Sequence, residues 1–200
     1  MKSKKGLIVL AAVLAVVIGA AGFAYGKLAD KVGGQNNLVQ SEQITPPADE
    51  NAADTEPPKF KATDFTITDS EGNSVNLSDF EGKPVIVNFW ASWCGPCQME
   101  MPDFEEKYKE YGEEIHFLMV NVTDGGRETV DTAKEFIAGT DFTFPVYFDT
   151  ELDASYTYNV YSLPTTLFID AEGYGIAQAT GMISADLLQK GIDMIYSAEE

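Results

Sequence analysis

Residues 84–90, PVIVNFW, constrain this chain more than any other stretch. A strand with one wet face alternates apolar and polar side chains. This one is apolar on both parities and rich in β-branched residues, as expected of a strand covered on both faces. Such a strand belongs inside a sheet with helices above and below it. Directly after it come Ala91, Ser92, Trp93, Cys94, Gly95, Pro96 and Cys97, and residues 97–111 read as a helix with Pro102 early enough to kink it. The two cysteines are therefore expected where a buried strand gives way to a helix.

Periodicity lays out the elements around this junction. Residues 64–68 and 74–77 alternate about the turn Asp69-Ser70-Glu71-Gly72-Asn73 and predict a hairpin. Residues 115–122 predict a second buried strand, 128–138 a helix, 144–148 a short strand and 152–158 a brief helical stretch. Strands at 165–170 and 175–180 flank the turn Glu172-Gly173, and residues 185–196 repeat apolar side chains at helical spacing. Strand–helix–strand–helix followed by a hairpin and a helix makes a central sheet covered on both faces.

The N-terminal quarter reads differently. Lys2, Lys4 and Lys5 precede an unbroken apolar run over residues 7–25. Basic residues before such a run keep that end in the cytoplasm and send the rest across. The run is close to the ~20 residues that span a bilayer and longer than the apolar core of a signal peptide. Residues 1–27 are thus expected to form an uncleaved membrane anchor. The alternative is a signal peptide cut at the small residues of Gly22-Phe23-Ala24 or Ala24-Tyr25-Gly26. No cysteine directly follows the run, so a lipoprotein anchor is excluded. Residues 28–58, with Gln35-Asn36-Asn37, Thr45-Pro46-Pro47 and Glu56-Pro57-Pro58, read as a flexible linker, and 59–200 as the folded domain.

Charge narrows the partners. From Leu28 onward nine basic residues face 32 acidic ones, a net charge of −23. That surface repels phosphate backbones and excludes nucleic acid. The acidity reads as a solvated, soluble face, with an acidic surface that steers a basic partner as the alternative.

The chain's two cysteines stand three apart. The first turn of a helix offers unpaired N–H groups and the positive end of the macrodipole, and both favour a thiolate. The spacing lets the second thiol reach the first, so a mixed disulfide can be resolved within the molecule. Gly95 is expected to permit the tight approach, and Pro96 suits the start of a helix. A zinc site needs more ligands than these thiols and the single His116 supply, so no metal is expected. A structural staple over so short a loop would constrain little chain entropy. Redox chemistry through Cys94 and Cys97 is the reading that remains.

The segment Trp93-Cys94-Gly95-Pro96-Cys97, with Val87-Asn88-Phe89-Trp90 before it, resembles the active site of thioredoxins, and the likeness runs from about Phe60 to Tyr196. More narrowly the chain is similar to the membrane-anchored extracytoplasmic TlpA/ResA-like branch. Leu77-Ser78-Asp79-Phe80-Glu81-Gly82-Lys83, the C-x-x-E-x-P of Cys97 to Pro102, and the Leu163-Pro164-Thr165-Thr166 loop carry that similarity. The resemblance implies a thioredoxin fold of class α/β: a central mixed sheet flanked by helices, with an added N-terminal β-hairpin.

It also implies roles. Thioredoxins carry a buried aspartate where this chain has Asn88, which cannot ionise. Glu100 matches the branch's helical glutamate and stands one turn beyond Cys97; an inward-facing carboxyl there would have a raised pKa suited to proton transfer. Glu105, further along, serves as the comparison position. Trp93 is expected partly exposed beside Cys94, and Trp90 packed. Leu163 and Pro164 would form a cis-proline loop that pairs with an extended substrate segment. The implied function is reduction of disulfides in exported proteins on the extracytoplasmic side of the membrane. A membrane-embedded thiol donor would return the electrons, and no cofactor is needed. A disulfide-forming oxidase and a non-catalytic client-binding module are the alternatives; the peroxiredoxin pattern P-x-x-x-T-x-x-C precedes neither cysteine.

Overall fold

The computed structural model of this protein describes residues 39–40 and 60–197. The expected anchor and most of the expected linker lie outside them. Among the described residues no helix is long and apolar enough to cross a membrane.

Strand β1 (Val39–Gln40) and strand β2 (Phe60–Lys61) are followed by the hairpin β3 (Thr66–Thr68) and β4 (Ser74–Asn76). Then come β5 (Val85–Trp90), α1 (Gly95–Tyr111), β6 (His116–Asn121), α2 (Val130–Ala138), β7 (Val146–Phe148) and α3 (Asp153–Thr157). The chain closes with β8 (Thr165–Ile169), β9 (Tyr174–Thr180) and α4 (Ala185–Ile195). The strands form one mixed sheet in the order β1-β9-β8-β5-β6-β7-β3-β4, with β2 also on β9.

All six residues of β5 are buried. It runs parallel to β6 and antiparallel to β8, and its side chains divide by parity. Ile86 and Trp90 enter one core with Met101 and Phe104 of α1, Ala133 of α2, and Leu188 and Ile192 of α4. Val85, Val87 and Phe89 enter the other with Phe65, Ile67, Leu77 and Ala154. The strand is covered on both faces, as its composition requires, and each buried large side chain contributes about 1.5–3 kcal/mol.

The added hairpin is present, and its turn is tied by Asp69, whose Oδ1 accepts from the backbone N–H of Glu71 and Asn73 at 2.8 Å each. It joins the sheet through β3, which pairs antiparallel with β7.

Two helix starts and two additional strands differ from the periodicity for identifiable reasons. α1 starts at Gly95 because Cys94 caps it: the Cys97 N–H reaches the Cys94 Sγ at 3.3 Å. α2 starts at Val130 because Thr129 and Thr132 form a reciprocal cap, with the Thr129 N–H donating to the Thr132 Oγ1 at 2.8 Å and the Thr132 N–H to the Thr129 Oγ1 at 3.2 Å. That leaves Glu128 outside the helix, free for another task. β1 and β2, two residues each, pair antiparallel with successive parts of β9, and a strand so short carries no alternation to read.

One close approach decides how α4 lies on the sheet. A Cβ on Gly191 would overlap the ring of Phe168 in β8, so only glycine lets helix and strand meet there.

Candidate active site

β5 sets the site's position. It ends at Trp90, and the short connection Ala91-Ser92-Trp93 delivers Cys94 to the N-cap of α1. Cys94 and Cys97 are joined in a disulfide with their Cα atoms 5.3 Å apart. Both are buried, Cys97 completely and Cys94 at 4% exposure. The Cys94 sulfur accepts an N–H of the first helical turn, so a thiolate formed there gains a donor and the positive helix end together.

Pro96 falls in the first turn, where its missing N–H leaves no bond unmade. Gly95 corrects an expectation. A Cβ there would meet nothing within 4 Å, so the tight loop does not need glycine; the position is simply exposed.

Glu100 is 1% exposed and faces inward. Its Oε1 accepts from the Asn88 Nδ2 at 2.8 Å and its Oε2 from the Ile183 N–H at 2.9 Å. Burial pushes its pKa up to about 7, and the charge of Asp103 adds to this; the two hydrogen bonds favour the carboxylate and keep the shift from going further. Asn88, fully buried, donates also to the Thr166 Oγ1 at 3.0 Å. A chain of polar contacts thus ties α1, β5 and β8 together. Sequence reasoning placed Asn88 and Glu100 separately. Their contact was foreseeable from parity, since residue 88 shares a face with Ile86 and Trp90, which pack under α1.

The comparison position fares differently. Glu105 is not a surface residue: it is buried, and it ties α1 to the segment leading into β7. Its carboxylate accepts from the Thr143 N–H at 2.7 Å, the Thr143 Oγ1 at 2.8 Å and the Phe144 N–H at 3.3 Å, and pairs with Lys109 at 3.0 Å. Burial raises its pKa, but these partners outweigh it and hold the carboxyl below the usual range.

On the other side stands a contact set that the sequence analysis missed. Glu128, completely buried, accepts from the Ser92 N–H at 3.0 Å, the Ser92 Oγ at 2.7 Å and the Asn121 Nδ2 at 2.8 Å. Its neighbour Arg127 lays its guanidinium 3.6 Å above the ring of Trp93, which is 41% exposed. Residues 127 and 128 thereby grip residues 93 and 92, just before the disulfide. The only sequence signal was an acidic residue ahead of a threonine cap. Trp90 is fully buried and packs against Phe136, as expected.

The Leu163–Pro164 peptide bond is cis. Pro164 is buried, and its carbonyl accepts the Gly181 N–H at 2.8 Å. Because Thr165 pairs with Phe89, this loop sits at the end of β5 from which the cysteine loop departs. Among the described residues the backbone N–H and C=O of Leu163 have no hydrogen-bond partner.

Residues 58–174 match the AhpC/TSA family. The thiol-disulfide oxidoreductase ResA of Bacillus thuringiensis subsp. konkukian (strain 97-27) is 38% identical over 138 residues, 68% of this chain and 76% of that protein. The ResA of Geobacillus kaustophilus (strain HTA426) is 36% identical over 135 residues, 67% and 75% of the two chains. Among solved structures, the exposed lipoprotein thioredoxin Etrx1 of Streptococcus pneumoniae strain TIGR4 is similar with a TM-score of 0.58 at 34% identity, covering 66% of this chain and 99% of its own.

Proposed function

We propose, from the premise that this chain belongs to the AhpC/TSA family and within it to the ResA-like thiol-disulfide oxidoreductases, that it reduces disulfides of exported proteins. The observation that carries this reading is a disulfide held at a helix N-terminus, with a buried carboxyl whose pKa lies near neutrality one helical turn further along.

The reaction runs from the dithiol form. The Cys94 thiolate attacks one sulfur of the client disulfide, forming a mixed disulfide and releasing the other client sulfur as a thiolate, which takes a proton. The Cys97 thiol then loses its proton and attacks Cys94. The internal disulfide closes, and the first client sulfur leaves and is protonated. Two electrons and two protons have moved to the client. Glu100, one turn from Cys97 with a pKa of about 7, is suited to take that proton and to return it when the disulfide reopens. The open backbone groups of Leu163 suit a client segment that adds as an extended strand beside Pro164.

The return of electrons requires a thiol donor. With residues 1–27 as a membrane anchor and 28–58 as a linker, interrupted where Val39–Gln40 adds to β9, the domain works on the extracytoplasmic side, and the donor is a membrane-embedded dithiol carrier. Charge asymmetry and the apolar run support this placement.

Insulin reduction driven by dithiothreitol tests the activity. Turbidity should develop faster with the protein than without it, and Cys94→Ser should abolish the gain. The Cys97→Ser variant should accumulate clients as mixed disulfides. A rate equal to the reagent background, or one that survives Cys94→Ser, would sink the reading and leave a client-binding module.

A further inference from the structure

We propose that Arg127 selects among clients, favouring those that carry a carboxylate within a residue or two of the disulfide to be reduced. The inference rests on the disulfide-exchange reading and adds a determinant of client choice.

Arg127 is the only arginine in the chain, and it belongs to a region with a net charge of −23. Its place is built. The Asp124 Oδ1 accepts the N–H groups of Gly126 at 2.8 Å and Glu128 at 2.9 Å, and the Gly125 N–H bonds the Glu128 carbonyl at 2.9 Å. Glu128 then fastens this loop to Ser92, so the residue before Glu128 must rise beside Trp93.

The manner of contact matters. With its central carbon 3.6 Å from the ring centroid, the guanidinium packs over the indole, a contact that does not consume its five N–H donors. Among the described residues none of them donates a hydrogen bond, and no carboxylate lies within ion-pair distance. Asp124 feels the charge of Arg127, but its carboxyl is held low chiefly by the backbone N–H groups of Glu128 and Gly126. Arg127 thus presents an exposed, pre-oriented fork of the kind that grips a carboxylate bidentately. Trp93 directly precedes Cys94, which brings the fork to the flank of any segment whose cysteine is under attack. The surrounding acidic surface would repel such a client, so a preference for it has to come from Arg127.

The full-length protein in detergent, in its dithiol form, serves for the test. Three peptide disulfides differing only in Glu, Gln or Lys beside the cysteine are compared with neutral bis(2-hydroxyethyl) disulfide. Wild type should oxidise about three- to fivefold faster with the Glu peptide than with the Lys peptide, the range of an exposed charge pair. Arg127→Gln should bring that ratio to one or below, Arg127→Lys should retain part of it, and Arg127→Glu should invert it. If the arginine merely activated Cys94, every substrate would slow in proportion, the neutral one included, and the ratio would hold; that result overturns the proposal. So does a wild-type preference for Lys. Failure of wild type to react with the neutral disulfide would instead refute exchange itself, and the inference with it.

Discussion

At the scale of single residues, Glu100 and Glu105 show how burial and partners sort two similar carboxyls on one helix. In the unfolded chain Glu100 ionises near its ordinary value of 4.5, whereas in the folded protein it holds its proton to about pH 7. The folded state therefore binds more protons across that window, and the contribution of Glu100 to stability falls as pH rises through it. The full cost, above pH 7, is on the order of 3 kcal/mol. Glu100→Gln should unfold at higher urea than wild type at pH 8, and the gap should close by pH 4. It should also slow disulfide exchange at least tenfold and flatten its pH profile near 7, the lower range for loss of a proton-transfer group being about 10²-fold. Equal profiles for the two proteins would remove Glu100 from the mechanism. Glu105→Gln should cost about 1–3 kcal/mol of stability by loosening the Thr143 and Phe144 contacts, with exchange largely retained. The exposed neighbour Glu106 is the fitting control, and Glu106→Gln should stay within about 0.5 kcal/mol of wild type.

Among the elements, α4 makes the sharpest demand. Its Gly191 lets the helix settle onto Phe168, so Gly191→Ala pits a gain in helix propensity of about 1 kcal/mol against overpacking of about 1–3 kcal/mol. A net loss in the urea midpoint is the expected outcome; a gain would mean that α4 can lift off β8 at no cost. The same helix shows what a sequence discloses. Its apolar repeat is plain, as is the double-sided burial of β5, because both follow from local patterning. The cysteine pair was legible for the same reason: its chemistry needs only spacing and a strand–helix junction. Glu128 on Ser92, Arg127 on Trp93, and Glu105 on Thr143 were not. Each joins segments dozens of residues apart, or turns on which residue caps a helix, and periodicity carries no information about either. Gly95 erred in the opposite direction, since a tight loop suggested a steric need that the open space around it does not impose.

The molecule as a whole joins an acidic folded domain to a basic, apolar N-terminal segment. If residues 7–25 are a retained anchor, protease added outside intact, wall-stripped cells should release the domain and leave Lys2, Lys4 and Lys5 protected. A soluble product beginning near Tyr25 or Lys27 would establish cleavage instead, and a domain protected throughout would remove the export argument. The chain has two tryptophans, and both adjoin the reactive pair: Trp93 precedes Cys94 in sequence, and Trp90 shares a core with both sulfurs. A disulfide is an efficient quencher of an excited indole, and a dithiol a poorer one. With no other tryptophan to dilute the signal, the emission of the intact protein should brighten on reduction and dim on oxidation. Its fluorescence is then a built-in gauge of how many electrons it holds, readable in real time without a label.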